Sequence, residues 1–173
     1  GEHGVARMYV LSIELRDRDD PPFRPVPEDV VASIGTHDLP PFASWWRNSD
    51  IEERIALGVL TEERAAIDRR ERWLQHEALA RYLRSEGLLA EDDESLEGVL
   101  RACLALLARS DAKRLLVSLE DLWLEDRPQN VPGTMADEYP SWRRRARYSL
   151  EEITGRPELT AALDAVWQHR GKP

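Results

Sequence analysis

Cysteine is nearly absent: Cys103 stands alone in 173 residues. One thiol makes no internal disulfide and no multi-thiolate zinc site, and it suits a reducing compartment. Lysine is almost as scarce, with only Lys113 and Lys172, so arginine carries the basic charge. The 24 basic residues are outnumbered by 33 acidic ones, for a formal net charge of −9. That excludes a general basic surface for phosphate backbones, and no nucleic-acid partner is expected. No apolar run reaches the ~18 residues of a membrane-spanning helix, so no membrane partner is expected. No glycine-rich phosphate loop is present. The start, Gly1-Glu2-His3-Gly4-Val5, has neither a charged-then-apolar signal pattern nor an initiator Met. The chain therefore reads as a piece of a longer protein.

What is there suffices for a core. Hydrophobic residues make up 42% of the chain and charged ones 33%, a composition of folded rather than disordered chains. The length suits one domain.

Three short apolar runs read as strands: Met8–Ile13, Val30–Gly35 and Leu115–Leu119. Between the first two, Arg16 to Pro27 is rich in charge and proline and reads as a loop. Helices are expected elsewhere. One short segment covers Phe42–Arg47, and another is capped by Asp50 and ended by Gly58. A long helix runs from Thr61 to about Ser85, with Ala66, Trp73, Leu74, Ala78, Tyr82 and Leu83 on its apolar side. A largely apolar one opens at Ser95 and runs to about Arg109, enclosing Cys103. Glu91 to Glu94 reads as a solvated turn, and Pro128 to Pro140 as an ordered loop. Ser149 and Glu152 form a capping box, and Pro157 starts a last helix that ends near His169. Strands alternating with helices argue for an α/β fold with parallel strands. A whole (β/α)8 barrel takes roughly 250 residues, so this chain holds only part of one.

His37-Asp38 is the sharpest local feature, a polar pair directly after an uncharged strand. A carboxylate there can stabilise developing positive charge, and the imidazole can donate to a hydroxyl. The alternative is an aspartate capping the next turn beside a surface histidine. A metal centre is not expected, since His3, His76 and His169 stand in no ligand-like spacing with the pair. Glu120-Asp121 falls at a strand end, where α/β proteins keep their chemistry. Trp45, Trp46 and Trp142 suit a helix–sheet core better than a stacking surface. Arg143-Arg144-Arg145 and Arg147 read as a solvated helix start paired with Glu151 and Glu152.

Several segments, in order, resemble the 4-α-glucanotransferases (amylomaltases) of glycoside hydrolase family 77. They are Gly4-Val5-Ala6-Arg7-Met8-Tyr9-Val10-Leu11, then Gly35-Thr36-His37-Asp38 followed by Trp45-Trp46. Gln129-Asn130-Val131-Pro132-Gly133-Thr134 and Glu138-Tyr139-Pro140-Ser141-Trp142-Arg143-Arg144 complete the set. The chain departs from the family pattern at Ser12-Ile13, at Leu39-Pro40-Pro41 and at Ser141.

The resemblance implies an α/β fold, the C-terminal part of a (β/α)8 barrel, with residues 1–173 forming one partial barrel domain. It implies a bacterial, cytoplasmic enzyme that moves α-1,4-glucan segments between maltodextrins with retention. In it Asp38 matches the aspartate that stabilises the transition state, and His37 the histidine that binds a sugar hydroxyl. Asn130 and Pro132 fall in a loop lining the acceptor side, and Asp17 is a further candidate sugar contact. The substrate is an α-1,4-glucan, and no cofactor is called for. The nucleophile and acid/base segments have no counterpart in this chain, so the missing N-terminal part of the barrel is its expected partner. Two other readings stand beside this one: a non-catalytic interaction domain derived from such a barrel, and an α-glucan hydrolase.

Overall fold

In the computed structural model, residues 5–135 and 137–170 are described. Gly4, which opens the first quoted motif, lies outside them. Three parallel strands form one sheet: β1 (Arg7–Val10), β2 (Val30–Ser33) and β3 (Arg114–Leu115), in the order β1-β2-β3. Arg7 pairs with Val30 and Val10 with Ser33, while Val31 pairs with Arg114 and Ala32 with Leu115. Parallel neighbours need long crossovers, and here helices supply most of them.

Eight helices complete the order among the described residues. They are α1 (Leu11–Glu14), α2 (Phe42–Arg47), α3 (Ser49–Ala56), α4 (Glu62–Ser85), α5 (Leu96–Arg109), α6 (Leu119–Leu122), α7 (Leu150–Thr154) and α8 (Pro157–Arg170). Thr61 Oγ1 accepts the Arg64 N–H at the start of α4, and Ser95 Oγ accepts the Gly98 N–H at the start of α5. The capping box at Ser149 and Glu152 is formed in full.

All three strands are shorter than their apolar runs. β2 spans only four residues, and its neighbours run out of partner. Ser12 still donates to Ile34 O (3.1 Å), but Leu11–Glu14 has already coiled into a helical turn. At the other edge Leu116 donates to Ala32 O (2.9 Å), after which the chain leaves the sheet and Leu119 begins α6.

Alternation decides what the sheet buries. Tyr9, Val30 and Ala32 point one way and join Leu79 and Leu83 of α4 with Leu100, Cys103, Leu104 and Leu107 of α5 in one cluster. Met8, on the opposite face, is 56% exposed, as is Leu116 just beyond β3. Cys103 is fully buried, and burial pushes its thiol up to about 12. It behaves as a core residue, not a nucleophile.

Other expectations need correction. Asp50 caps nothing: Asn48, left-handed at φ 63°, ends α2 and begins α3. Asp50 is instead buried in the first turn of α3 and pairs bidentately with Arg72 of α4. The predicted apolar side of α4 holds only in its second half, where Ala78, Leu79 and Leu83 are buried. Ala66 and Trp73 face solvent, because α3 covers only part of the first half.

The arginines at 143–147 open no helix. Arg144 Nη2 lies 3.1 Å from Glu125 Oε1, Arg147 Nη2 lies 3.7 Å from Glu125 Oε2, and Arg144 Nη1 donates to Arg127 O. Burial raises the Glu125 carboxyl, but bonds from Arg127 N–H, Arg144 and Trp123 Nε1 outweigh it and hold it below its usual range. This buried anion anchors the irregular segment between α6 and α7. Beyond it α8 packs on α5, and Arg170 Nη2 donates to Ala112 O (2.6 Å) past the end of α5.

Candidate functional site

The central strand β2 delivers the site. Its apolar run stops at Gly35, and Thr36 to Pro41 forms the turn into α2. Leu39 N–H donates to Thr36 O (3.1 Å) and Asp38 N–H to Thr36 Oγ1 (3.3 Å). The turn is therefore closed by its own threonine, and His37 and Asp38 project from it at the C-terminal end of a parallel strand. That is the end where such sheets leave backbone groups and side chains free for ligands.

Asp38 is fixed from two sides. Asn130 Nδ2 donates to Asp38 Oδ1 (2.8 Å), and His37 Nε2 lies 3.3 Å from Oδ2. The Asp38 side chain nevertheless remains 56% exposed, so lone pairs are left for a ligand. Asn130 comes from the Pro128–Pro140 loop, 92 residues along the chain. That loop is held by Tyr139 Oη, which donates to Pro128 O (2.6 Å), and by the Trp142 N–H, which donates to Gln129 O (2.8 Å).

Two clefts meet at this turn, one of about 360 Å³ and one of about 330 Å³. Asp38, Asn130 and Pro132 border the first; His37, Gln129 and Trp142 border the second. Thus four of the five sequence-predicted site residues come together. Asp17 does not: it follows α1, contacts Arg18 at 3.8 Å and borders neither cleft.

Two residues beside the site were not foreseen in these roles. Asp121, at the end of α6, borders both clefts and is 5% exposed. Its Oδ1 accepts the Phe42 N–H (2.8 Å), the first amide of α2. Burial pushes the Asp121 carboxyl up to about 6; the Phe42 bond opposes the shift, and Glu120 adds to it. The strand-end position of Glu120-Asp121 was the only signal for it. Trp142, expected in the core, is 59% exposed and lies with its ring centroid 5.7 Å from that of His37.

Trp45 and Trp46, in contrast, are packed. They enclose His76 of α4 at 4.4 and 4.1 Å, and burial, with the Arg72 charge, pushes that imidazole down to about 3. No group of three or more His, Cys, Asp or Glu side chains able to hold a metal ion occurs among the described residues. The local chemistry is that of an exposed carboxylate, oriented by an amide and an imidazole, at the rim of a cleft with both polar and apolar walls. Such a group stabilises cationic character that develops in a bound neutral ligand.

Comparison with known proteins gives the family and the fold. The 4-alpha-glucanotransferase family model of glycoside hydrolase family 77 matches residues 1–151. A 4-alpha-glucanotransferase of Mycobacterium tuberculosis is 38% identical over 154 residues, covering 81% of this chain and 20% of that protein. One of Haemophilus influenzae is 28% identical over 176 residues, covering 98% and 25%. The chain thus spans about a fifth to a quarter of the length of these relatives. Amylomaltase from Corynebacterium glutamicum superposes with a TM-score of 0.84 at 24% identity, over 98% of this chain and 26% of that one. The three parallel strands and their helices therefore have the fold of part of an amylomaltase α/β barrel. By its sequence and its fold, the chain belongs to the 4-alpha-glucanotransferases of glycoside hydrolase family 77.

Proposed function

We propose that this chain is the C-terminal part of an enzyme that transfers α-1,4-glucan segments between maltodextrins by a retaining double displacement. Residues 1–173 act as one partial barrel domain, completed by an N-terminal part that supplies the nucleophile and the acid/base. Retaining enzymes hold those two carboxyl groups about 5–5.5 Å apart, and the family's segments for both have no counterpart in this sequence. The reading needs neither metal nor cofactor, and it carries a cytoplasmic location with it. Among the described residues no helix is long and apolar enough to cross a membrane.

One observation carries the proposal: the Asn130–Asp38 bond sets a solvent-facing carboxylate at the mouth of a cleft. Glycoside cleavage passes through an oxocarbenium-like state, and contacts to sugar hydroxyls that tighten there lower the barrier. Asp38 faces the developing charge and a ring hydroxyl. Asn130, which donates to it, is neutral and sets no opposing charge beside it. His37 and Asn130 bind hydroxyls on either side, and Pro132 gives the acceptor side a rigid wall. Asp17 belongs to the proposal only as a contact reached by a longer glucan.

The test separates the roles of the two parts. Incubated alone with maltotriose, the chain releases no glucose and forms no longer maltodextrins. Joined to an N-terminal part that carries the two missing carboxylates, it does both. Turnover by the chain alone at an enzyme-like rate overturns the division of labour, and release of glucose without longer products assigns a hydrolase instead.

A further inference from the structure

Trp142 is placed at a double disadvantage. Its indole is 59% exposed, and its backbone is left-handed at φ 63°, a region that bulky residues seldom adopt. The turn is pinned on both sides: Ser141 N–H donates to Tyr139 O (2.8 Å) and Arg143 N–H to Pro140 O (3.2 Å). A large apolar side chain held exposed in strained backbone is the pattern of a ligand-facing position. The ring leans at 50° against His37 and borders the 330 Å³ cleft with Gln129, Glu120 and Ser33. Ser33 is 4% exposed, and its hydroxyl has no hydrogen-bond partner.

We propose that Trp142 is a stacking platform for a pyranose ring, the glucosyl residue next to the one held by His37 and Asp38. This rests on the reading of His37 and Asp38 as sugar-binding residues. A pyranose has an apolar C–H face and a rim of hydroxyls. The indole face is electron-rich and receives the first, while Gln129 and Glu120 at the edge of the cleft receive the second. The charged groups at this cleft decide against other flat ligands. Among the described residues they are Glu120 and Asp121, with His37 beside them and neither lysine nor arginine. A nucleotide or other anion is repelled there, whereas a neutral polyol is not. The indole stands beside His37, with the ring centroids 5.7 Å apart, so the sugar units held at the two rings are consecutive.

The experiment uses this chain, labelled with ¹⁵N, and maltoheptaose. The Trp142 Nε1–H signal is identified by its loss in Trp142→Phe, and the His37 ring signals are followed beside it. We expect the sugar to shift both. Trp142→Ala then weakens binding by about tenfold and Trp142→Phe by less, with the His37 shift recovered at saturating sugar and the melting temperature kept. If His37 shifts and the Trp142 signal does not, the platform is overturned and the sugar-binding reading stands. If neither shifts, that reading fails for this chain and the platform with it. A Trp142→Ala chain that melts many degrees lower, beside a wild-type indole silent to sugar, assigns Trp142 to the cover of the open sheet face and overturns the platform.

Discussion

The turn after β2 and the turn after β3 each set a carboxylate at the same rim, in opposite surroundings. Asp38 is exposed and held by side chains, Asn130 and His37. Asp121 is buried and holds backbone, the first amide of α2. The first spends little stability to keep a charge available. The second keeps a charge where solvent is excluded, and burial makes ionisation costly. Neighbouring strand ends thus differ in use: one carboxylate is left open to solvent, and the other fixes the start of α2.

The sharpest way to break this contrast is Asp38→Asn in the completed transferase. The amide keeps the size and removes the charge. A group acting on the oxocarbenium-like state loses several kcal/mol there, about 10²–10⁴ in kcat, with a smaller change in glucan binding. Melting temperature stays near that of the parent, since the side chain is already 56% exposed. A capping role predicts the reverse, about 1 kcal/mol of lost stability and near-normal kcat. Steady-state kinetics beside a melting curve separates them, and a folded variant within tenfold of the parent's kcat removes Asp38 from the mechanism.

Asp121→Asn acts in the other direction. Burial pushes the folded carboxyl up to about 6, against about 3.9 for a free aspartate. Between those values the folded chain binds more protons than the unfolded one, so stability is fully present below about pH 4 and falls as pH rises through 6. Two pH units correspond to about 3 kcal/mol. The asparagine carbonyl still accepts from Phe42 and carries no charge. Urea unfolding at pH 8 therefore shows a stabilised variant, with a gain of up to about 3 kcal/mol that vanishes near pH 4. An equal or lower stability at pH 8 shows that the carboxylate is solvated or paired in a way the contrast does not allow.

Smaller effects follow at the partners of Asp38. Asn130→Ala removes one hydrogen bond to a charged group, worth about 1.5–3 kcal/mol when buried and less at this exposed rim. We expect kcat to fall about tenfold, with Tm nearly unchanged. His37→Ala removes a contact worth roughly 0.5–1.5 kcal/mol, and its loss stays within tenfold. If Asn130→Ala matches Asp38→Asn in kcat, the orientation of the carboxylate matters as much as its charge.

Much of this was legible in the sequence for physical reasons that also mark where legibility ends. β2 begins where its apolar run begins, at Val30, and ends at Ser33, two residues before Gly35. β1 and β3 were read too long, since Leu11–Ile13 and Val117–Leu119 remain apolar after their partner strand has ended. Capping by Thr61, Ser95 and Ser149 is local and was found. Exposure of Trp73 and Trp142 depends on what packs against them and was not. The motif blocks named Asp38 and Asn130, but no local pattern announces a bond across 92 residues. Nor does one announce that Asp121 reaches Phe42 across 79.

Those long separations have a kinetic consequence. The ladder between β2 and β3 joins Val31 to Arg114, and most of the intervening chain is helix. Contacts within α4 and α5 are local and close quickly, whereas joining distant strands first requires the entropy of a long loop. The Asp38–Asn130 and Phe42–Asp121 bonds close much the same loop, with separations of 92 and 79 residues. Closing the ladder between β2 and β3 thus also brings the partners of both rim bonds within reach.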